Sequence, residues 1–186
     1  MRAMKPAPHR GRARSALLLV DFINPMDFAG ANALAPRAIA AAAAAARLKS
    51  RLKRARVPVI YANDNFGAWR ADFAMIVDAC RRGVPAARKL VATIAPASDD
   101  LSILKPRHSA FFGTPLEFLL DELQVNRLII AGLTTDNCVM FTAHDAYLRK
   151  LAVVVPSNCS AAKDPRGHRA ALRHIRAVLK GRTARA

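Results

Sequence analysis

Three side chains of different chemistry, Asp21, Lys105 and Cys138, each lie at or just beyond the end of a short apolar run. Cysteine attacks electrophilic carbon as the thiolate, and an unperturbed thiol with a pKa of about 8.5 is mostly protonated at neutral pH. A lysine ammonium stabilises a thiolate, and a carboxylate can take the thiol proton and pass it to a leaving nitrogen. Together these three residues would form a nucleophilic site.

The turn before Cys138 offers the backbone groups that such a site needs. We expect Cys138 in the first turn of a helix, where free N–H groups and the positive end of the helix dipole lower the thiol pKa. The N–H groups of Thr134, Asn137 and Val139 are predicted to receive the oxyanion of an acyl intermediate. The alternative is that Cys138 is a small buried apolar residue, as cysteine often is.

Apolar, β-branched runs alternate with helical stretches, which is typical of βαβ units around a parallel sheet. In such a sheet the carboxyl ends of the strands meet at one edge, so residues far apart in the chain converge there. Pro36 is expected in the first turn of the first helix, and Thr114 is expected as a helix N-cap. The predicted strands are residues 15–20, 57–62, 101–104, 127–133 and 152–156, and the predicted helices are 36–56, 115–123, 136–151 and 165–179, with 84–94 as a helix or a strand-flanking segment.

Three segments of the sequence resemble the isochorismatase-like cysteine hydrolases. They are Ala131 to Val139, followed by Thr142-Ala143 and Asp145-Ala146; Lys105 with Ser109-Ala110-Phe111; and Leu19-Val20-Asp21 with Asn24 and Asp27-Phe28. All three members of the Asp-Lys-Cys triad of that family are present in the family's order. The resemblance implies an α/β fold, a three-layer α/β/α sandwich whose mostly parallel sheet has five to six strands. It also implies a cis peptide at Leu133-Thr134.

By the same resemblance, Cys138 attacks the carbonyl carbon of a small amide or amide-like substrate and forms an acyl-thioester. Asp21 is then the acid and base, and Lys105 is the cation beside the sulfur. Two alternatives stay open: an isochorismatase-type ether or ester hydrolase, and a catalytically idle protein that binds a partner through its basic ends. Family members that hydrolyse the vinyl ether of isochorismate can lack the cysteine, so its presence favours amide chemistry.

The departures from the family pattern concern metal and substrate. The nicotinamidase branch binds a metal through an Asp and nearby histidines, whereas residues 62–69 contain Asp64 and no His. We therefore expect no metal and no cofactor. Ile23 stands where the family often has Gln. The substrate-binding residues predicted around the site are Phe22, Asn24, Asp64, Trp69 and Phe111, since aromatic walls with few polar groups suit a small ligand.

Length, composition and charge set the broader expectations. A chain of 186 residues predicts one domain, here residues 15–180, between basic tails at 1–14 and 181–186. Residues 1–14 and 163–186 together carry twelve of the seventeen net positive charges. No aromatic residue is interleaved with their arginines, which disfavours nucleic acid as the main partner. The longest uncharged run of purely apolar residues is 38–46, too short to cross a membrane, for which about 20 residues are needed.

The three cysteines lack CxxC spacing, which indicates neither a disulfide framework nor a zinc site. A reducing cytoplasm is the expected compartment. The expected partner is a small-molecule substrate, with no membrane. The family resemblance also implies that the chain forms a homo-oligomer, either a dimer or a tetramer.

Overall fold

The structure is a computed structural model, and it describes residues 14–186. The predicted tail at residues 1–14 therefore lies outside the described residues, apart from Arg14. Strands and helices alternate as the apolar runs predicted. In chain order they are β1 Ser15–Val20, α1 Ala31–Arg54, β2 Val59–Asp64, α2 Phe73–Arg82, α3 Pro85–Thr93, β3 Leu101–Lys105, α4 Leu116–Glu122, β4 Arg127–Leu133, α5 Cys138–Leu148, β5 Ala152–Val154, β6 Ser160–Ala161 and α6 Pro165–Ala177.

The strands form one sheet in the order β3-β2-β1-β4-β5, with β6 also paired to β4. All of these pairings are parallel. Side chains alternate across the strands, so Leu17 and Leu19 pack with α1, α2 and α3 on one face. Leu18 and Val20 pack with α4, α5 and α6 on the other. The predicted three-layer α/β/α sandwich is confirmed.

Helix α1 begins five residues earlier than predicted, and Pro36 lies inside it rather than in its first turn. The helix starts after Gly30, whose left-handed conformation (φ 86°) reverses the chain. Proline lacks the N–H that would bond to the carbonyl of Asn32. Both residues are exposed, so water can satisfy that carbonyl.

Several other boundaries differ from the predictions. Strand β2 lies two residues later, which places Asp64 at the end of a strand instead of in a loop. Thr114 is not the N-cap of α4, although its hydroxyl accepts a hydrogen bond from the N–H of Leu116 at 3.2 Å. The C-terminal residues predicted as a tail instead extend the sheet edge, where Arg182 bridges Val154 in parallel. The backbone N–H of Ala186 donates to Asn158 at 2.9 Å.

The order in which strands are added to the sheet reverses at β1. Strands β2 and β3 lie on one side of β1, and β4 and β5 lie on the other. Ligands of open parallel sheets bind in the crevice at such a switch point. Gly132 allows β4 to end close to β1, because a Cβ there (φ 149°) would lie 2.1 Å from the carbonyl oxygen of Val20. The peptide bond between Leu133 and Thr134, at the end of β4, is cis.

Candidate active site

The carboxyl ends of the strands bring Asp21, Lys105 and Cys138 together. Asp21 follows β1, Lys105 ends β3, and Cys138 is the first residue of α5. The ammonium Nζ of Lys105 lies 2.9 Å from Oδ2 of Asp21 and 3.7 Å from Sγ of Cys138. Lys105 has no exposed surface, whereas Cys138 is half-buried and so reachable by a small molecule.

Asp64 is a fourth member of this cluster. Its Oδ2 lies 3.3 Å from Nζ of Lys105, and its backbone N–H donates to Oδ1 of Asp21 at 2.7 Å. The sequence predicted Asp64 as a substrate-binding residue in a loop. Here it lies at the end of β2, where it shares the ammonium of Lys105 with Asp21 and leaves that lysine between two carboxylates.

Burial and charge shift the ionisation of the ion pair. Burial raises the pKa of Asp21 above its ordinary value, and this outweighs the opposing effect of the Lys105 ammonium. Burial alone would lower the pKa of Lys105, but the Asp21 and Asp64 carboxylates beside it raise that pKa above its ordinary value. The raised pKa makes Asp21 a stronger base than a solvated carboxylate.

The prediction that the thiol pKa is lowered is wrong. Burial raises the pKa of Cys138 to about 12, and the Asp21 carboxylate beside it adds to the rise, against the opposing effect of Lys105. Burial and the neighbouring carboxylate thus favour the protonated thiol. Because a base of raised pKa lies beside it, the thiol can lose its proton when it attacks rather than before.

The backbone donors around Cys138 differ in part from the predicted set. The N–H groups of Asn137 and Val139 both donate to the carbonyl of Thr134, at 3.1 and 3.2 Å, so they are occupied. Within residues 14–186, no backbone hydrogen bond uses the N–H of Thr134 or of Cys138 as its donor. The available pair is thus Thr134, as predicted, and Cys138 itself.

The residues predicted to bind the substrate differ in burial. Phe22 is fully buried in the core on the α1 side of the sheet, and Phe111 is buried in the core on the other side. Trp69 is 78% exposed. The side chain of Asn24 accepts the N–H of Met26 at 2.9 Å and so holds the loop after β1. The sequence shows that these residues follow strands, but it does not show where their side chains point.

Sequence reasoning missed two residues that hold the site in place. The amide of Asn63 bonds to both the N–H and the carbonyl of Ile23, at 3.2 and 2.7 Å, and fixes the loop after Asp21. The hydroxyl of Thr142 donates to the carbonyl of Cys138 at 2.7 Å and accepts the N–H of Ala110 at 3.0 Å. Asn63 lies within a buried strand only because β2 extends to Asp64, beyond the predicted strand, and a polar side chain there needs an internal partner.

Neither a metal-binding cluster nor a membrane-spanning helix occurs in residues 14–186. In residues 14–186, no three His, Cys, Asp or Glu side chains are grouped so that they could hold a metal ion. No helix in the same residues is long and apolar enough to cross a membrane.

Comparison with known proteins agrees with the fold and with the three segments. A family model described as the Isochorismatase domain matches residues 15–184. The uncharacterized isochorismatase family protein YaaI of Bacillus subtilis is 36% identical over 168 residues, which is 90% of this chain and 92% of that protein. Maleamate amidohydrolase of Pseudomonas putida is 28% identical over 167 residues, 86% of this chain and 78% of that enzyme.

Among solved structures, the nicotinamidase/pyrazinamidase PncA of Bacillus subtilis matches with a TM-score of 0.72 at 28% identity, over 92% of this chain and 99% of that chain. The family resemblance of the sequence is confirmed, and with it the expectation of an enzyme. The chain therefore belongs to the isochorismatase family of hydrolases.

Proposed function

We propose that this hydrolase cleaves the C–N bond of a small amide or amide-like compound through an acyl-thioester on Cys138. The observation that carries the proposal is the contact of one buried ammonium, that of Lys105, with both the carboxylate of Asp21 and the sulfur of Cys138. Two relatives, a maleamate amidohydrolase and a nicotinamidase/pyrazinamidase, support a carboxamide as the substrate class.

In the first half of the reaction, Asp21 takes the proton of the Cys138 thiol as the sulfur bonds to the carbonyl carbon. The carbonyl oxygen becomes an oxyanion, and the backbone N–H groups of Thr134 and Cys138 are the available donors for it. Asp21 then gives its proton to the nitrogen as the C–N bond breaks. The amine or ammonia leaves, and the acyl group stays on the sulfur.

In the second half, water attacks the thioester carbon and Asp21 accepts a proton from it. The C–S bond breaks, the carboxylic acid leaves, and the sulfur is protonated again. Lys105 keeps its charge throughout, because the two carboxylates beside it hold its pKa high. Its ammonium offsets the negative charge that develops on sulfur in both halves.

The test measures turnover on a panel of carboxamides, ureido acids and isochorismate. We expect release of ammonia from a carboxamide or ureido acid, and a loss of at least about a thousandfold in Cys138→Ala. Cys80→Ala is the matched control, because Cys80 is buried in the core away from the site. Hydrolysis of isochorismate that Cys138→Ala retains would refute the proposal and favour the ether hydrolase.

We further propose a homo-oligomer, a dimer or a tetramer. Phe118 on α4 and Leu148 on α5 are 76% and 72% exposed, and Phe141 on α5 is also exposed. Large exposed apolar side chains on helices of the same side of the sheet can supply a protein interface. Light scattering should give two or four times the chain mass of 20.1 kDa, and Phe118→Asp should reduce it. A monomer at micromolar concentration would contradict this.

The cytoplasm is the compartment we propose, which the three cysteines support because none is in a disulfide.

A further inference from the structure

Residues 134–137, which we call the nucleophile turn, connect β4 to Cys138 and are held by a later part of the chain. Strand β6 pairs with the end of β4, with Ala161 opposite Leu133. The backbone N–H of Thr135 then donates to the carbonyl of Ala161 at 2.9 Å. The position of the nucleophile turn therefore depends on the segment that leads from β6 into α6.

A side chain of α6 makes a second connection to the same residue. The hydroxyl Oγ1 of Thr135 lies 2.8 Å from the ring nitrogen Nδ1 of His168. Thr135 has no exposed surface, and within residues 14–186 its hydroxyl forms no other hydrogen bond. Because a buried hydroxyl needs an internal partner, the ring of His168 is the group that satisfies it.

The first turn of α6 also lies against the nucleophile turn. A Cβ at Gly167 would lie 2.8 Å from Oδ2 of Asp136, so the absence of a side chain lets the two turns meet. Asp164 caps α6 by accepting from two of its first backbone N–H groups, at 3.1 and 3.3 Å, and so fixes the start of the helix. Two consecutive residues of the nucleophile turn, Thr135 and Asp136, thus meet two consecutive residues of α6, Gly167 and His168.

The ring of His168 is neutral at pH 7. Burial lowers its pKa below the ordinary value, and the Arg169 guanidinium adds to this. The carbonyl of Ser157 and the carboxylate of Asp136 oppose the shift without reversing it. A neutral imidazole has one N–H and one lone pair, and a hydroxyl both donates and accepts, so the bond to Thr135 needs no charge.

We propose that His168 is a positioning residue for the reaction at Cys138, and that it acts through the hydroxyl of Thr135. Their hydrogen bond fixes Thr135 between the N–H of Thr134, which is an oxyanion donor, and the nucleophile. The inference rests on the proposed function, because it assigns these two groups the roles given above. A displacement of about 1 Å at such groups can cost about a hundredfold in rate. His168 is not a catalytic residue, since it acts on the turn and not on the substrate.

The first test compares His168→Phe with His168→Asn. Phenylalanine keeps a ring of similar shape without a polar atom, whereas the amide of asparagine places one near the position of Nδ1. We expect kcat to fall at least about tenfold in His168→Phe. KM should change less than about twofold, because the oxyanion contact is made in the transition state. His168→Asn should recover most of the lost kcat.

His174→Phe is the matched control. His174 lies on the same helix and bonds through Nε2 to Nε2 of His144 on α5, at 2.9 Å, so it joins α6 to α5 without touching the nucleophile turn. Its replacement should leave kcat within about twofold of the wild type. Equal losses in His168→Phe and His174→Phe would mean that any disturbance of α6 is sufficient, which would overturn the proposal.

Thr135→Val removes the same hydrogen bond from the other side with little change in volume. If His168 acts through Thr135, the double variant His168→Phe/Thr135→Val should lose no more kcat than the larger of the two single losses. Single losses that multiply in the double variant would mean independent roles and would overturn the proposal. Thr135→Val alone carries the test if circular dichroism shows that His168→Phe does not fold, and full kcat in Thr135→Val is then the contrary result.

A second readout needs no substrate. Release of the nucleophile turn should expose the sulfur of Cys138 and let its pKa fall from about 12 towards the ordinary value. Alkylation of Cys138 by iodoacetamide at pH 8 should therefore be at least about threefold faster in His168→Phe, and unchanged in His174→Phe. Unchanged alkylation in His168→Phe would overturn the proposal. A wild-type chain that turns over no compound of the panel would refute the proposed function alone, because alkylation still reports on His168.

Discussion

Replacing Lys105 with methionine removes the only cation described between Asp21 and Asp64. Its Nζ lies 2.9 Å from Asp21, 3.3 Å from Asp64 and 3.7 Å from the sulfur of Cys138, and the side chain has no exposed surface. Methionine fills a similar volume but leaves the buried carboxylate of Asp21 and the partly exposed carboxylate of Asp64 without their shared cation. Breaking a buried ion pair in this way costs about 3–5 kcal/mol of unfolding free energy.

A second substitution shows whether the cost comes from the uncompensated charge. Asp21→Asn keeps the shape of the carboxyl group and removes its charge. Lys105→Met/Asp21→Asn should therefore be more stable than the sum of the two single effects predicts, by about 2 kcal/mol. Lys89→Met is the control for the substitution itself, because Lys89 is an exposed residue of α3. It should change stability by less than about 0.5 kcal/mol.

Urea unfolding followed by far-ultraviolet circular dichroism measures all four variants. If Lys105→Met unfolds at the same urea concentration as Lys89→Met, the buried ion pair contributes nothing and the reasoning is wrong. It is equally wrong if the double variant is less stable than additivity predicts. Either result would mean that Lys105 is not held between the carboxylates in solution.

Three further predictions concern Cys138 and two residues that position it, one in β4 and one in α5. Because the thiol pKa is about 12, alkylation of Cys138 by iodoacetamide should rise about tenfold per pH unit from pH 7 to 10; a plateau below pH 8 contradicts this. Gly132→Ala should lower the unfolding free energy, measured in urea, by about 3 kcal/mol, because its Cβ would meet the carbonyl of Val20. Gly67→Ala is the control, since Gly67 also has a positive φ but lies in open space, and it should cost about 1 kcal/mol. Equal losses would mean that the contact with Val20 is unimportant. Thr142→Val should cost about 2 kcal/mol, because two buried hydrogen bonds are lost, and an unchanged midpoint would refute that.

The raised pKa of the Cys138 thiol also makes the unfolding free energy depend on pH. The folded pKa of Cys138, about 12, lies above its ordinary value of 9.0. A raised pKa means that the buried thiol stabilises the fold fully below pH 9 and that this contribution is lost as pH rises towards 12. The unfolding free energy of the wild-type chain should thus fall more steeply above pH 9 than that of Cys138→Ala.

The sheet and the meeting of its strand ends could be predicted because both depend on pattern alone. Apolar runs such as residues 127–133 define parallel strands, and parallel strands end at one edge. That is enough to bring Asp21 and Lys105 near Cys138. The two-residue strand β6 is too short to have a pattern, and the extension of the sheet by Arg182 depends on backbone pairing that composition does not record.

The sequence could not predict the thiol pKa or the burial of the aromatic residues beside the site. The pKa of Cys138 follows from how deeply the sulfur is buried and how close Asp21 lies, and both arise only from packing. Phe22 and Phe111 lie in loops after strands. Side chains alternate between the two faces of a sheet only within a strand, so the sequence does not tell which face these two residues pack against. Both fill the core, on opposite sides of the sheet.

The central claim is that the substrate becomes bonded to one sulfur during turnover. Acid quenching of the enzyme in the steady state, followed by peptide mass spectrometry, measures this directly. We predict an added mass equal to the acyl half of the substrate on the peptide that contains Cys138, and its loss in Asp21→Asn. Steady turnover with that peptide unmodified, or the same mass on Cys80 or Cys159, would contradict the account.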